Sequence, residues 1–337
     1  MVDLTRPDKT RLGIHRQLTQ RLENFTKNMQ YRTLGKTNLK VSALSYGAAP
    51  MGGAFGQMEL AEAIRAFHCA LDHGINFVDV APYYGVTRAE TVLGQVLKTV
   101  PRDRYYISTK LGRYDTASFD FSPKRVRESV DESLQRLGLD YVDAMICHDI
   151  EFVPIQPILE ETLPAVEQLK REGKFRYFGV SGLPLKIFDL VLPHYDLDVI
   201  LSYCHYALND TSLERLLPAI GQQNLGLILG APLAMGLLTQ AGPLPWHPSG
   251  DEIKRKCAEA AAFCTAAGVD IAQLALAFCL REPRIHTVLC GMKSEAEVQS
   301  SLIALELQID PDVLAGVQRI LAPVRDASWP SGLAENN

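Results

Sequence analysis

The chain has 337 residues, of which 47% are hydrophobic and 22% charged, and a formal net charge of −5. That charge, with no basic stripe, excludes nucleic acid as a main partner, and no apolar run approaches the ~18 residues of a membrane span. Seven cysteines (69, 147, 204, 257, 264, 279 and 290) are odd in number and lie mostly in apolar segments without CxxC spacing. They read as reduced thiols of a cytoplasmic protein, and no metal is expected.

Residues 1–28 carry six Lys/Arg and three Asp/Glu and no apolar h-region, so they do not read as a secretory signal. They read as a disordered, non-catalytic extension, or as sequence ahead of a working start at Met29. From Tyr31 the chain alternates. Strand-like apolar runs fall at 41–46, 75–80, 105–109, 142–147, 176–181, 198–203, 226–229 and 286–290. Helix-period stretches fall between them, at 58–72, 88–98, 122–137, 156–171, 211–223, 251–267 and 294–305. The clearest is 122–137. Ser122 is its N-cap, Pro123 takes the first helical position, Gly138 ends it, and Val126, Val130, Leu134 and Leu137 form one stripe. Eight such units predict an α/β fold, a single-domain (β/α)8 TIM barrel over residues 29–325, with 326–337 as a C-terminal tail. No GxGxxG follows the first strand, which weighs against a doubly wound dinucleotide fold.

In such a barrel, catalytic groups sit at the C-terminal ends of strands and in the loops beyond. Asp79 ends the second strand, Lys110 the third and His148 the fourth, while Tyr84 follows in the loop of "NFVDVAPYYG". A free tyrosine has a pKa near ~10. An adjacent ammonium favours tyrosinate and is expected to lower it. Asp79 is expected to hold Lys110 charged and in place, and His148 to orient a substrate oxygen against the Tyr84 hydroxyl. Together they form a general acid/base pair for a carbonyl or carbinol. That chemistry suits hydride transfer with a bound nicotinamide.

These four residues, with "YRTLGKTNLKVSALSYG", "FVDVAPYYG", "STK" and "GVSG" in order, resemble the aldo-keto reductase family over residues 30–306. The resemblance implies Asp79, Tyr84, Lys110 and His148 as the catalytic tetrad. The segments "GRY", "CHDIE", "ILSYCHYALND", "APLAMGLLTQAGP" and "WHP" are most similar to the branch that oxidises C1 of L-galactose to its 1,4-lactone with NAD. By the same resemblance, cofactor contacts fall on Ser181, Gly182, Ser202, Pro232, Leu233, Met235, Gly291, Lys293, Glu297 and Ser301. Three positions depart from the commoner pattern. Gly182 stands where an Asn often holds the nicotinamide carboxamide, Ser202 where a Gln is frequent, and Gly230 where a Tyr would stack. Glu297 takes the place of an Arg that pairs with the 2′-phosphate of NADP. A carboxylate repels that phosphate and can accept from a ribose hydroxyl, which favours NAD, although Lys293 beside it could still reach a phosphate.

Sugars lie on aromatic faces while polar groups read their hydroxyls. Trp246 and His247 of "PLPWHPSG" are therefore expected to line the substrate pocket, with Tyr83, His148, Asp149 and His205. The resulting expectation is an NAD-dependent aldose 1-dehydrogenase, monomeric or homodimeric, whose partner is a small sugar and neither nucleic acid nor a membrane. An NADPH-dependent reductase of small aldehydes or other sugars is the alternative within the family. From another class, a cofactor-sensing binding subunit is disfavoured by the intact tetrad.

Overall fold

The described chain opens on two short paired strands. β1 (Tyr31–Thr33) and β2 (Lys40–Ser42) form an antiparallel hairpin in the computed structural model, which describes residues 29–337. The extension expected at 1–28 lies outside the described residues. Eight further strands follow: β3 (Leu44–Gly47), β4 (Phe77–Asp79), β5 (Tyr106–Leu111), β6 (Val142–Cys147), β7 (Phe175–Gly182), β8 (Val199–Tyr203), β9 (Gly226–Gly230) and β10 (Thr287–Gly291). All eight pair in parallel, in sequence order, and β10 closes on β3. This is the expected (β/α)8 barrel.

The run at 41–46 is not one strand. At Ala43 the chain leaves the hairpin, where its N–H donates to Gln30 O, and joins the barrel, where its carbonyl accepts from Val288 N. The hairpin then plugs the N-terminal end of the barrel. Its Leu34, Leu39 and Val41 pack with Phe77, Ile146, Val199, Leu201, Ile228 and Leu289. Apolar filling from below leaves the other mouth for chemistry.

The helices are amphipathic where one face meets the barrel and the other meets water. In α1 (Leu60–Asp72), α2 (Arg88–Leu97) and α3 (Pro123–Leu137) the buried residues recur at helical spacing. The Ser122 hydroxyl caps α3 by accepting from Arg125 N, and Gly138 ends it at φ +67°. Next come α4 (Leu163–Arg171), entered through a π-helical turn at Ile158–Thr162, α5 (Lys186–Val191) and α6 (Leu217–Gln222). Four helices complete the chain: α7 (Asp251–Ala266), α8 (Ile271–Leu280), α9 (Glu295–Glu306) and α10 (Pro311–Leu321). Of the ten helices named, α5, α8 and α10 go beyond the expected set. The buried α8 is apolar on nearly all sides and so carries no stripe. Among the described residues no single helix is long and apolar enough to cross a membrane.

Candidate active site

Side-chain alternation along β4 and β5 brings the tetrad together. Phe77 packs in the barrel interior, so Asp79, two residues on, shares its face. Asp79 pairs with Ser108 across β4 and β5, and Ser108 Oγ donates to Asp79 Oδ1 at 2.7 Å. Lys110, again two residues on, donates from Nζ to Asp79 Oδ2 at 2.5 Å, to Val80 O at 3.0 Å and to Tyr84 Oη at 3.0 Å. The fourth member, His148, directly follows β6, and its ring meets the Tyr84 ring edge-on at 5.8 Å. All four predicted catalytic residues therefore converge at the C-terminal mouth.

Electrostatics separate their roles. Burial alone would lower the Lys110 pKa, but Asp79 and Tyr84 hold it above its ordinary value, so the ammonium is charged. His148 is held well below the usual imidazole range by burial and then by the charges of Lys110 and Arg113. It is a neutral ring with an unpartnered Nδ1. For Tyr84 the balance differs from the sequence expectation. Burial outweighs the lowering effect of Lys110 and pushes the phenol up to about 12. Lys110 therefore limits a rise and does not bring about a net fall.

Arg113, which sequence reasoning missed, completes the mouth. Its Nη1 meets Asp149 Oδ2 at 2.5 Å, and its guanidinium lies 3.8 Å from the Tyr83 ring centre. Asp149 Oδ2 in turn is 3.5 Å from His148 Nε2. Burial raises the Asp149 carboxyl against the pull of Arg113. Of the expected substrate residues, Tyr83, His148 and Asp149 thus stand together beside Tyr84. His205 uses Nδ1 on Asp210 and Ser212, and its buried Nε2 has no partner. Trp246 is 49% exposed and meets Phe55 edge-on at 5.7 Å. His247 spends both ring nitrogens on main chain, Nε2 with Ala234 O and Nδ1 with Ser249 N. Neither Trp246 nor His247 meets a tetrad residue.

The expected cofactor residues lie at the ends of β7 to β10. Ser181 Oγ accepts from Asp149 N, and Ser202 Oγ is buried without a partner. A side chain at Gly182 would meet Glu151 Oε2 and Ile187 Cδ1, the ends of two side chains that would have to move to admit it. Beyond β9, the loop holding Pro232, Leu233 and Met235 has Ala231, Ala234 and Met235 at positive φ. Such strain in non-glycine residues clusters at ligand sites. Gly291 ends β10, and Glu297 lies in the first turn of α9, its Oε2 accepting from Lys293 N at 2.9 Å. Ser301 is buried against Cys290. A strained loop, an orphaned Ser202 hydroxyl and the N-terminus of a twelve-residue helix beside one mouth fit a nucleotide, whose phosphates suit such an end. Among the described residues no cluster of His, Cys, Asp and Glu could hold a metal.

A (β/α)8 barrel with a Tyr–Lys–Asp chain and a neutral histidine at its mouth defines a proton-transferring oxidoreductase site. Residues 43–322 match the Aldo/keto reductase family model, and the chain belongs to that family, which uses nicotinamide cofactors. It is 47% identical to L-galactose dehydrogenase of Arabidopsis thaliana, over 91% of this chain and 99% of that protein. It is 34% identical to D-arabinose 1-dehydrogenase of Saccharomyces cerevisiae, over 71% and 75% of the two chains. Among solved structures, an aldo-keto reductase from Bacillus halodurans in its holo form superposes with a TM-score of 0.71 at 27% identity, over 90% of this chain and 98% of that one.

Proposed function

We propose that the protein is an NAD-dependent aldose 1-dehydrogenase that oxidises C1 of L-galactose to L-galactono-1,4-lactone, with residues 29–325 as its catalytic barrel. The observation that carries the reading is the Lys110 ammonium bonded at once to Asp79 and to the Tyr84 hydroxyl. It is joined to the 47% identity with a dehydrogenase of that sugar over nearly its whole length. A bound nicotinamide supplies the redox half of the reaction, and Ser181, Gly182, Ser202, Pro232, Leu233, Met235, Gly291, Lys293, Glu297 and Ser301 are the residues proposed to hold it.

The protein's own groups handle the proton. The C1 hydroxyl of the cyclic sugar sits between Tyr84 Oη and the neutral His148 ring, and Tyr84 accepts its proton as the general base. Lys110 stabilises the phenolate that takes up this proton and becomes the neutral phenol, and Asp79 keeps Lys110 charged. Because the ring oxygen stays bonded to C1, the product is a lactone. Arg113 and Asp149, with Tyr83, read the sugar's other hydroxyls.

Glu297 supports NAD over NADP through charge repulsion with a 2′-phosphate. The unpaired cysteines, six of them buried, suit a reducing cytoplasm. A monomer or homodimer without nucleic-acid or membrane partners completes the reading. The test is kcat/KM for L-galactose, L-fucose, D-arabinose and D-galactose with NAD and with NADP. L-galactose with NAD should lead and D-galactose, its mirror image, should be poorest. Equal use of both enantiomers, or a preference for NADP, would favour a general aldehyde reductase instead.

A further inference from the structure

Glu151 closes the "CHDIE" segment and is fully buried, yet no step above uses it. Its Oε1 accepts from Leu183 N at 3.2 Å and from Ser331 Oγ at 2.9 Å. Its Oε2 has no partner and fills the space that a side chain at Gly182 would need. The Glu151 carbonyl accepts from Leu333 N and from Asn336 Nδ2, each at 2.9 Å, and Asn336 Nδ2 also donates to Val153 O. Gly332, at φ +74°, lies so close to that carbonyl that any Cβ would overlap it. One residue therefore ties together three segments: the turn after β6, the end of β7 and the C-terminal residues.

The turn after β6 needs such a tie. It begins with His148, and the next residue, Asp149, stands at φ +53°, a left-handed conformation that costs a non-glycine residue free energy and persists only where surroundings enforce it. Glu151 is two residues further on. Burial, and then the charge of Asp149, pushes its carboxyl up to about 8, so at neutral pH it can bind there without adding a charge.

We propose that Glu151 is a positioning residue and that residues 331–337 form a clasp which, through it, holds His148 and Asp149 in their working geometry. The proposal rests on the function above only for its activity assay. Three variants test it: a chain ending at residue 330, Glu151→Ala in the full-length protein, and the two combined. Glu151→Gln serves as the conservative rescue. Truncation and Glu151→Ala should each lower kcat/KM for the sugar, on the order of 10²-fold for an ångström-scale misplacement. NAD affinity, read by fluorescence quenching, should move far less. Because both changes remove the Ser331 bond to Glu151, the combined loss should be smaller than the product of the two single losses, and Glu151→Gln should recover most of the loss. If the truncated chain fails to fold, Ser331→Ala reads the link to the Glu151 side chain and Asn336→Ala the link to its main-chain carbonyl. Amide hydrogen exchange over residues 148–153 should quicken in the impaired variants. That readout needs no substrate, so a wild-type protein idle on sugars would sink the function and leave the clasp standing. Unchanged exchange and kcat/KM after truncation, or losses that multiply in the combination, would overturn the clasp.

Discussion

Lys110 Nζ lies 3.0 Å from the Tyr84 hydroxyl and 4.7 Å from the centre of its ring, close enough to bias the phenol's ionisation. The same ammonium is held by Asp79, so its charge is fixed and its direction is set by two strands. Burial works the other way, and for Tyr84 it is the larger effect. The site therefore stores a protonated tyrosine next to a charge that eases its deprotonation.

Tyr84→Phe should keep cofactor binding and lose nearly all turnover. Phenylalanine preserves the ring packed against His148 and removes the hydroxyl that moves the proton. General acid/base groups contribute about 10²–10⁴-fold. Steady-state kinetics decides the matter, because a variant retaining more than about a tenth of wild-type kcat would need another base.

The pH dependence has a definite sign. With the phenol raised to about 12, oxidation requires a deprotonated oxygen that is scarce at neutral pH. The oxidation rate should climb with pH, by up to about tenfold per unit, until another step limits it. Lys110 lowers the phenol's pKa, so Lys110→Met should displace the rising limb to still higher pH. A profile that keeps its position while activity merely drops would assign Lys110 to holding the cofactor.

The tetrad was legible because each member stands at or just beyond the end of a strand, and period-two alternation then aims consecutive strand ends at one mouth. Barrel strands showed as short apolar runs between Gly, Pro and capped helices, and their ends fell within a few residues. What escaped notice depended on distant partners. Arg113 reads as an ordinary polar loop residue until the loop folds it over Tyr83. Glu151 gains meaning only when a segment 180 residues later reaches it. His247 looked like a sugar contact, but its ring nitrogens are committed to Ala234 and Ser249 by the local course of the loop.

A second buried carboxylate should govern stability and not chemistry. Glu90 on α2 accepts from Thr109 Oγ1 at 2.6 Å and from Arg136 Nε at 2.7 Å, on the outer side of β5. Glu90→Ala leaves the buried Thr109 hydroxyl without its acceptor and takes one carboxylate from Arg136, which keeps Glu132 at 3.7 Å and the Ser133 hydroxyl, so the cost should be about 1–3 kcal/mol. Chemical denaturation should show that loss. Replacing both members, Glu90→Leu with Arg136→Met, should recover part of it, since an apolar pair removes the charge left short of a carboxylate. A double variant as unstable as the single one would mean that shape, and not charge, is what Glu90 supplies.

Glu297 offers the sharpest separation of a structural from a functional role. Its N–H donates to Ser294 Oγ at 3.2 Å, and its carboxylate accepts from Lys293 N at 2.9 Å. The two bonds satisfy the N–H groups of residues 293 and 297 where α9 begins. Its negative charge also suits the positive end of the helix dipole. Glu297→Arg keeps the main-chain bond to Ser294 but forfeits the Lys293 bond and the favourable charge, and the stability cost should be about 1 kcal/mol, readable as a modest fall in Tm. The same arginine would meet a 2′-phosphate in place of repelling it. A charge-assisted hydrogen bond contributes about 1.5–3 kcal/mol, so the kcat/KM ratio of NADP to NAD should rise by at least about tenfold. The two readouts are independent. A lower Tm with an unchanged cofactor ratio would leave Glu297 as a helix cap only, and the argument for NAD would then have to come from elsewhere in the site.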